Sequence, residues 1–491
     1  MIIIELINHE YQNEIMDVIR LFFGKETIRI LDNNDSIVKE LNQILIKSEI
    51  IVLKDKILCK STYSNSDGII IDNFETVSEH FINNKKDIKK AIKASMYNLL
   101  SKVTGKSLPW GVLTGIRPVK IVHEFLEKDL DNDKIISALK NKYNVSDERA
   151  DLALKVALNE RKFINNVDKK TIGIYVGIPF CPSRCHYCSF TSNSIEKSKN
   201  LVRPYINAIK KEISIVSEYL KSNGIKAQSV YIGGGTPTSI SADELTELIM
   251  CINEFWNQKI EFTCEAGRPD SITEEKLIKI KKAGVNRISI NPQTMNDDTL
   301  QRIGRKHDSI QIINSFNLAR SIGYNNINMD MIIGLPGENL DNIKRTVNEI
   351  IKLNPENITV HTMAIKRASV FNEQLHKINN SEAIEQMMDY SRNAIEAADY
   401  QPYYLYRQKY MAQNLENIGY CKKGFECIYN IQIMEERQCI ISFGADAVTK
   451  VIFNDENRIE RQHNIKDLRL YIERIDEQIE KKLKLLSQLY E

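Results

Sequence analysis

Three cysteines fall within one short run, Cys181-Pro182-Ser183-Arg184-Cys185-His186-Tyr187-Cys188. Thiolates are the natural protein ligands of iron–sulfur clusters, and C-x3-C-x2-C spacing lets a single loop wrap three corners of one cubane. A [4Fe–4S] cluster held by Cys181, Cys185 and Cys188 leaves one iron without a protein ligand. Catalytic metal centres keep such an open position, whereas structural centres are closed. The competing readings are a zinc site and plain buried thiols. Zinc wants a fourth ligand, and His186, inside the loop, is expected to point away from the centre of its flanking cysteines. Three cysteines directly after an apolar strand are far more specific than a lone CxxC, and the cluster is the reading adopted.

Downstream, Tyr231-Ile232-Gly233-Gly234-Gly235-Thr236-Pro237-Thr238 closes a second predicted strand. Glycines there let backbone approach a ligand closely, although a tight turn alone would also use them. A third strand ends in Glu265, a fourth in Gln293, and a fifth carries Asp330. Each residue alone would more often be a solvated loop residue. Together, one polar residue per successive strand end is the pattern of a ligand ring. Arg305 suits a bidentate contact with a carboxylate. It equally suits a helix-end charge, and the sequence leaves both readings open.

The elements that must position these groups are legible in the middle of the chain. Apolar runs at Ile172–Ile178, Ser229–Ile232, Ile260–Glu265, Arg287–Asn291, Asn326–Ile332 and Asn357–His361 alternate with amphipathic helical stretches such as Tyr205–Leu220, Ala242–Phe255 and Leu340–Leu353. Helix-start signals recur at Ser241-Ala242-Asp243-Glu244 and Thr273-Glu274-Glu275. Six such units imply a parallel sheet with right-handed crossovers. They fall short of the eight of a closed barrel, so the expected core is a partial, TIM-like (β/α)6 barrel over residues 169–365, with chemistry at the C-terminal strand ends. Residues 1–168 read as an N-terminal mixed α/β domain, with an amphipathic helix at Glu10–Phe23 and a Lys-rich one at Lys85–Leu100. Gly105-Lys106-Ser107 is no P-loop, because the required glycine is Leu100. Residues 366–491 read as a C-terminal α+β region covering the barrel's open side.

The chain has 491 residues, 42% of them hydrophobic and 27% charged, with a formal net charge of +2. That size implies two or three domains. The near-neutral balance gives no general pull toward nucleic acid or anionic membrane, so neither partner is expected. The N-terminus lacks a basic region and a cleavage site, and no uninterrupted apolar stretch is long enough to span a bilayer. A cytoplasmic monomer is the expectation. Nine cysteines, three clustered and six scattered, do not resemble a secreted disulfide framework. Cys421, Cys427 and Cys439 offer a loose auxiliary metal set without an evident fourth ligand, and buried structural thiols are the preferred reading. Cys59, Cys251 and Cys264 read as core.

The C-x3-C-x2-C loop at the first strand end of a partial barrel resembles the radical S-adenosylmethionine (SAM) superfamily. The match extends further. The stretch Tyr175 to Phe190, the Gly-Gly-Gly-Thr-Pro-Thr run, Arg287 to Gln293, Gly304-Arg305 with His307, and Asn328 to Gly337 resemble oxygen-independent coproporphyrinogen III oxidases. The N-terminal extension, Glu265-Ala266-Gly267-Arg268-Pro269-Asp270 and Tyr403 to Lys409 look most like the HemZ-type branch. The resemblance implies that SAM chelates the open iron and yields a 5′-deoxyadenosyl radical on one-electron reduction, with flavodoxin or ferredoxin as the class of donor. It implies SAM contacts from Tyr187, Gly233, Gly234, Gly235, Thr236, Glu265, Gln293, Arg305 and Asp330, and places Tyr175 near the reacting centre. The implied reaction is oxidative decarboxylation of two coproporphyrinogen III propionates to vinyl groups, with Arg367, Arg407 and Lys409 as candidate anchors for the tetrapyrrole's carboxylates. Ser189-Phe190 follow Cys188 where such oxidases commonly carry another cysteine, and Gly177 stands where many have histidine. The alternatives are a haem chaperone of the same family and a radical SAM methyltransferase acting on haem.

Overall fold

The computed structural model describes residues 1–24, 26–31, 43–54, 56–66, 68–78, 85–115, 117–165, 167–188, 192–363, 381–407, 415–453, 456 and 458–490. The chain divides into two compact units, Met1–Leu154 and Lys155–Glu491. Among the described residues no helix is long and apolar enough to cross a membrane.

In the first unit, β1 (Ile2–Ile7) runs parallel to β2 (Ile28–Ile30) and β3 (Ile44–Val52), and antiparallel pairing adds β4 (Lys56–Asn65) and β5 (Ile70–Ser78). Helices Gln12–Phe23 and Lys85–Thr104 bury stripes of Ile15, Val18, Ile19 and of Ile88, Ile92, Met96, Leu99, as an amphipathic period requires. Ser95 on the second helix donates to Ser61 Oγ on β4 at 2.9 Å. The turn-rich segment around Trp110 packs within this unit. Gly111 adopts φ +51°, and a Cβ there would lie 2.0 Å from the Tyr143 carbonyl oxygen, so only glycine fits.

The second unit holds the barrel strands. They are β6 (Thr171–Ile178), the two-residue strands β7 (Phe180–Cys181) and β8 (Asn193–Ser194), β9 (Lys226–Gly234), β10 (Glu261–Glu265), β11 (Arg287–Ser289), β12 (Ile327–Ile333) and β13 (Asn357–Thr362). β6, β9, β10, β11, β12 and β13 form six neighbouring parallel strands, the open (β/α)6 arrangement. β11 stops two residues short of the predicted Asn291. Pro292 has no N–H to donate and Gln293 turns to φ +67°. The helix expected from Tyr205 begins earlier, at Lys199, and runs through Pro204 at the loss of one intrahelical hydrogen bond. Helix Ala242–Phe255 opens with a capping box between Ser241 and Glu244.

The strands of the C-terminal part extend the barrel's sheet at both edges. β14 (Gln401–Tyr406) and β15 (Asn417–Cys421) continue it antiparallel beyond β13. β16 (Ile440–Phe443) pairs parallel with β6, followed by antiparallel β17 (Val448–Phe453) and β18 (Arg458–His463). This is why the three segments read from the sequence become two compact units: the barrel and the C-terminal strands share one eleven-stranded sheet.

A buried ion pair fastens that junction. Glu212, on helix Lys199–Ser222, accepts from Gly444 N–H (3.0 Å), Asn464 Nδ2 (2.8 Å), Tyr471 Oη (2.6 Å) and Lys482 Nζ (2.5 Å). Lys482, on the C-terminal helix Ile475–Tyr490, also donates to the Ser442 carbonyl on β16. Burial pulls its pKa down while Glu212 opposes the fall. Removing one partner of a buried pair strands the other. Lys482→Met should therefore cost about 3–5 kcal/mol, read as a lower denaturant midpoint at unchanged slope. A loss below about 1 kcal/mol, the range of an exposed pair, would show that the pair is not what secures the junction.

Candidate active site

The cysteine loop is zipped to the glycine run. Past the end of β6, Gly235 N–H donates to the Ile178 carbonyl (2.8 Å) and Thr236 N–H to the Phe180 carbonyl (2.7 Å). β7 and β8 then pair Phe180 with Asn193 and Cys181 with Ser194, closing the loop at its base. No side chain fits between the two runs. A Cβ on Gly235 would lie 2.6 Å from the Phe180 carbonyl oxygen and 2.9 Å from Cys181 Sγ, and Gly234 takes φ +109° with a Cβ position 2.9 Å from Ile178 N.

Polar side chains reach the sulfurs of Cys181 and Cys185. Cys181 Sγ lies 3.4 Å from Thr236 Oγ1. Arg268 Nη1 donates to Cys185 Sγ at 3.5 Å and to the Ser183 carbonyl at 3.2 Å. Arg268 is only 3% exposed and is locked by Asp270 at 2.8 and 2.6 Å. The guanidinium thus places a fixed positive charge beside the Cys185 sulfur. Burial pushes the Asp270 carboxyl up, but His307 and Arg268 outweigh it and hold the group well below the usual range. His186 is turned to the opposite side, with its N–H on the Ile303 carbonyl and Nδ1 3.0 Å from the Arg302 carbonyl oxygen. Among the described residues the three sulfurs do not converge within 4.8 Å of one another, so they do not form a single-ion cage. They instead line one wall of a cavity of about 260 Å³.

The other walls come from successive strand ends. Tyr187, Gly234, Gly235, Thr236, Glu265, Gln293, Arg305 and Asp330 all line the same cavity. Gly233 stands behind it, with its Cβ position 3.2 Å from the Glu265 carboxylate. Arg305 donates to the carbonyls of Asn291 (2.7 Å) and Gly267 (3.2 Å) and to Tyr187 Oη (3.1 Å). It is a buried positioning group, not a helix-end charge. Arg305 Nε and Gln293 Oε1 are buried without a protein hydrogen-bond partner. Such orphaned atoms in a cavity wall fit a bound polar ligand. Glu265 accepts from Tyr231 Oη at 2.6 Å. Burial lifts its pKa to about 7, against the lowering effect of that hydrogen bond. Asp330 accepts from Asn328 Nδ2 at 2.7 Å, and its pKa is lowered because His361 and its hydrogen bonds outweigh burial.

Some expected residues stand elsewhere. Tyr175 stacks on Tyr231 and Tyr429, with centroids 6.4 and 6.2 Å away, and is not among the described groups on the cavity wall. Burial pushes its hydroxyl pKa well up. Arg407 is buried beside Glu416 and does not line the cavity. Arg367 and Lys409 lie outside the described residues. Cys427 donates to Glu261 Oε1 at 3.3 Å, Cys439 meets the Ile452 backbone, and Cys421 is buried on β15. Arg268, Asn291, His361 and Tyr406 also line the cavity and were not singled out from the sequence. The Arg268-Pro269-Asp270 string was visible as a motif, but nothing local says that its guanidinium reaches Cys185.

Replacing Arg268 with Gln should leave a cluster whose potential falls by about 50–100 mV. This corresponds to losing one charge-assisted bond to sulfur. A spectroscopic redox titration reads the shift, and an unchanged potential would remove Arg268 from the cluster's electrostatics.

Residues 175–350 match the radical SAM superfamily. The oxygen-independent coproporphyrinogen-III oxidase-like protein HemZ of Bacillus subtilis (strain 168) is 40% identical over 414 residues, 83% of this chain and 82% of that protein. The heme chaperone HemW of the same organism is 32% identical over 280 residues, 56% of this chain and 69% of its own length. In fold, the chain resembles the crystal structure of coproporphyrinogen III oxidase (HemN) from Escherichia coli, a radical SAM enzyme, with TM-score 0.53 and 20% identity over 66% of this chain and 73% of that one. Three thiols on a barrel-end cavity and an extensive likeness to HemZ lead to one assignment: the chain belongs to the radical SAM superfamily, in the oxygen-independent coproporphyrinogen III oxidase-like family that includes HemZ.

Proposed function

We propose that this chain converts propionate side chains of coproporphyrinogen III to vinyl groups. Each propionate loses carbon dioxide, one hydrogen atom and one electron, the last passing to a one-electron acceptor. The observation that carries the reading is the gathering of the three thiols and the polar strand ends around one cavity, in a chain whose likeness to HemZ covers most of both proteins.

The family's cofactors are a [4Fe–4S] cluster and SAM, which when bound supply a one-electron route to a carbon-centred radical. Cys181, Cys185 and Cys188 are the residues to hold the cluster, with Arg268 offsetting thiolate charge. Arg305 Nε offers a donor to a ligand carboxylate and Gln293 Oε1 an acceptor to a ligand ammonium or hydroxyl. The Tyr187 ring, fixed through its hydroxyl by Arg305, offers a flat apolar surface. With a pKa near 7, Glu265 can either accept from or donate to a ligand hydroxyl at neutral pH. Tyr406 on β14 and Asn417 on β15 add C-terminal groups to the wall and help to exclude water.

A second reading is haem binding without turnover. The likeness to the heme chaperone HemW favours it, as does Ser189-Phe190 after Cys188. Anaerobic incubation of cluster-loaded protein with coproporphyrinogen III, SAM and a one-electron reductant should give vinyl product that Cys185→Ser abolishes. Stable haem absorbance with no vinyl product would reject the oxidase reading in favour of the chaperone-like one.

A further inference from the structure

His361, on β13, faces the cavity beside Asp330 and Tyr406. Its Nε2 is 3.7 Å from Asp330 Oδ2, and its Nδ1 is 3.5 Å from Tyr406 Oη. Tyr406 comes from β14, two strands away across the antiparallel edge. The register Tyr406↔Asn417 on β15 sets its height, and the Asn417 side chain in turn accepts Thr362 N–H on β13 at 2.8 Å. Further along the same edge, Tyr404 stacks against Tyr406 at 6.3 Å and fills the space left by Gly419, where any Cβ would collide with its ring. The two side chains are thus held at a fixed separation by backbone pairing, not by their own contact, which is at the outer limit of a hydrogen bond.

The electrostatics give the pair one sense. Asp330 is a carboxylate held ionised against burial, and it faces Nε2. In the imidazolium form one ring N–H faces this carboxylate and the other, Nδ1–H, is a donor beside Tyr406. The Tyr406 hydroxyl is a second donor 3.5 Å from it. Two donors at that spacing match the two oxygens of a single carboxylate. The apolar Ile332 and Met363 line the same cavity, as suits a group carried on a hydrophobic body.

We propose that His361 and Tyr406 form a two-pronged clamp that takes one carboxylate of the substrate. The clamp rests on the reading above that the cavity serves a propionate-bearing tetrapyrrole. It assigns to these two residues the anchoring role that the sequence suggested for Arg367, Arg407 and Lys409.

The test uses full-length, cluster-loaded protein and two probes, coproporphyrin III and its neutral tetra-amide. Wild type should prefer the acid. In the His361→Phe, Tyr406→Phe double variant the Kd for the acid should rise roughly 10- to 100-fold, the loss of a charge-assisted contact. The Kd for the amide should stay within about twofold, which a merely structural role would not produce. Tyr406→Phe keeps the ring against Tyr404, so it carries the same comparison should the double variant lose its cluster absorbance. In turnover with coproporphyrinogen III it should raise KM more than it lowers kcat. Acid binding unchanged in the variants, with wild type still discriminating, overturns the clamp and leaves the tetrapyrrole reading intact. Wild type binding neither probe overturns both.

Discussion

The second unit is organised by the side-chain-free approach of residues 178–181 to residues 233–236. Two backbone hydrogen bonds hold it, from Gly235 to Ile178 and from Thr236 to Phe180. Any Cβ at Gly235 would be driven into the Phe180 carbonyl oxygen and Cys181 Sγ. Because the cysteine loop is a continuation of β6 and the glycine run a continuation of β9, the pairing of these two strands fixes the thiols relative to the rest of the barrel. The wall residues of β10, β11 and β12 inherit their positions from the same ladder, strand by strand. The glycines are therefore primarily a packing requirement of the cysteine loop. Their suitability for a ligand's approach follows from the same absence of side chains.

An open barrel leaves two sheet edges with unpaired backbone groups, a condition proteins manage by covering or extending them. Here extension serves both ends. β15 and β14 satisfy β13 on one side, and β16 to β18 satisfy β6 on the other. Each extension has a distinct consequence. The β14–β15 edge delivers Tyr406 and Asn417 to the cavity. The β16 edge is stapled from behind by Glu212 and Lys482, which tie the first barrel helix to the last helix of the chain. The strand that leads into the cysteine loop is thereby braced through its neighbour β16.

The sequence was most readable where function is local. Cys181, Cys185 and Cys188 share one loop, the glycines share one strand end, and Ser241 with Glu244 announces a helix within four residues, so spacing alone locates them. The six parallel strands follow from alternation. Glu265 was legible because a polar residue ending an apolar run is a local signal, and Asp330 because a carboxylate inside an apolar strand is one too. Arg268 was not, since its role depends on reaching Cys185 in a loop far away in the chain. His361 and Tyr406 were not, because only the antiparallel edge through β15 brings them within reach of each other. Tyr175 was placed at the reacting centre by resemblance, and in the structure its ring belongs to the stack with Tyr231 and Tyr429. The parallel pairing of β16 with β6 has no sequence signature, because it joins segments separated by the entire barrel.

The cavity is also electrically divided. Arg268 and Arg305 stand on the side of the thiols and Tyr187. Glu265, Asp330 and His361 stand on the strands that follow. Buried charges persist only when paired or hydrogen-bonded, and each is: Arg268 by Asp270, Arg305 by two carbonyls, Asp330 by Asn328 and His361, Glu265 by Tyr231 and by partial protonation near pH 7. The guanidinium of Arg305 nevertheless keeps one N–H without a partner, and Gln293 keeps one carbonyl oxygen. A site of this kind carries its own polarity before anything binds. A zwitterion with carboxylate and ammonium at one end and hydroxyls at the other is oriented by the field, not by shape alone. For a ligand of that kind, the open Arg305 N–H suits the anionic end and the Glu265 and Asp330 carboxylates suit hydroxyls.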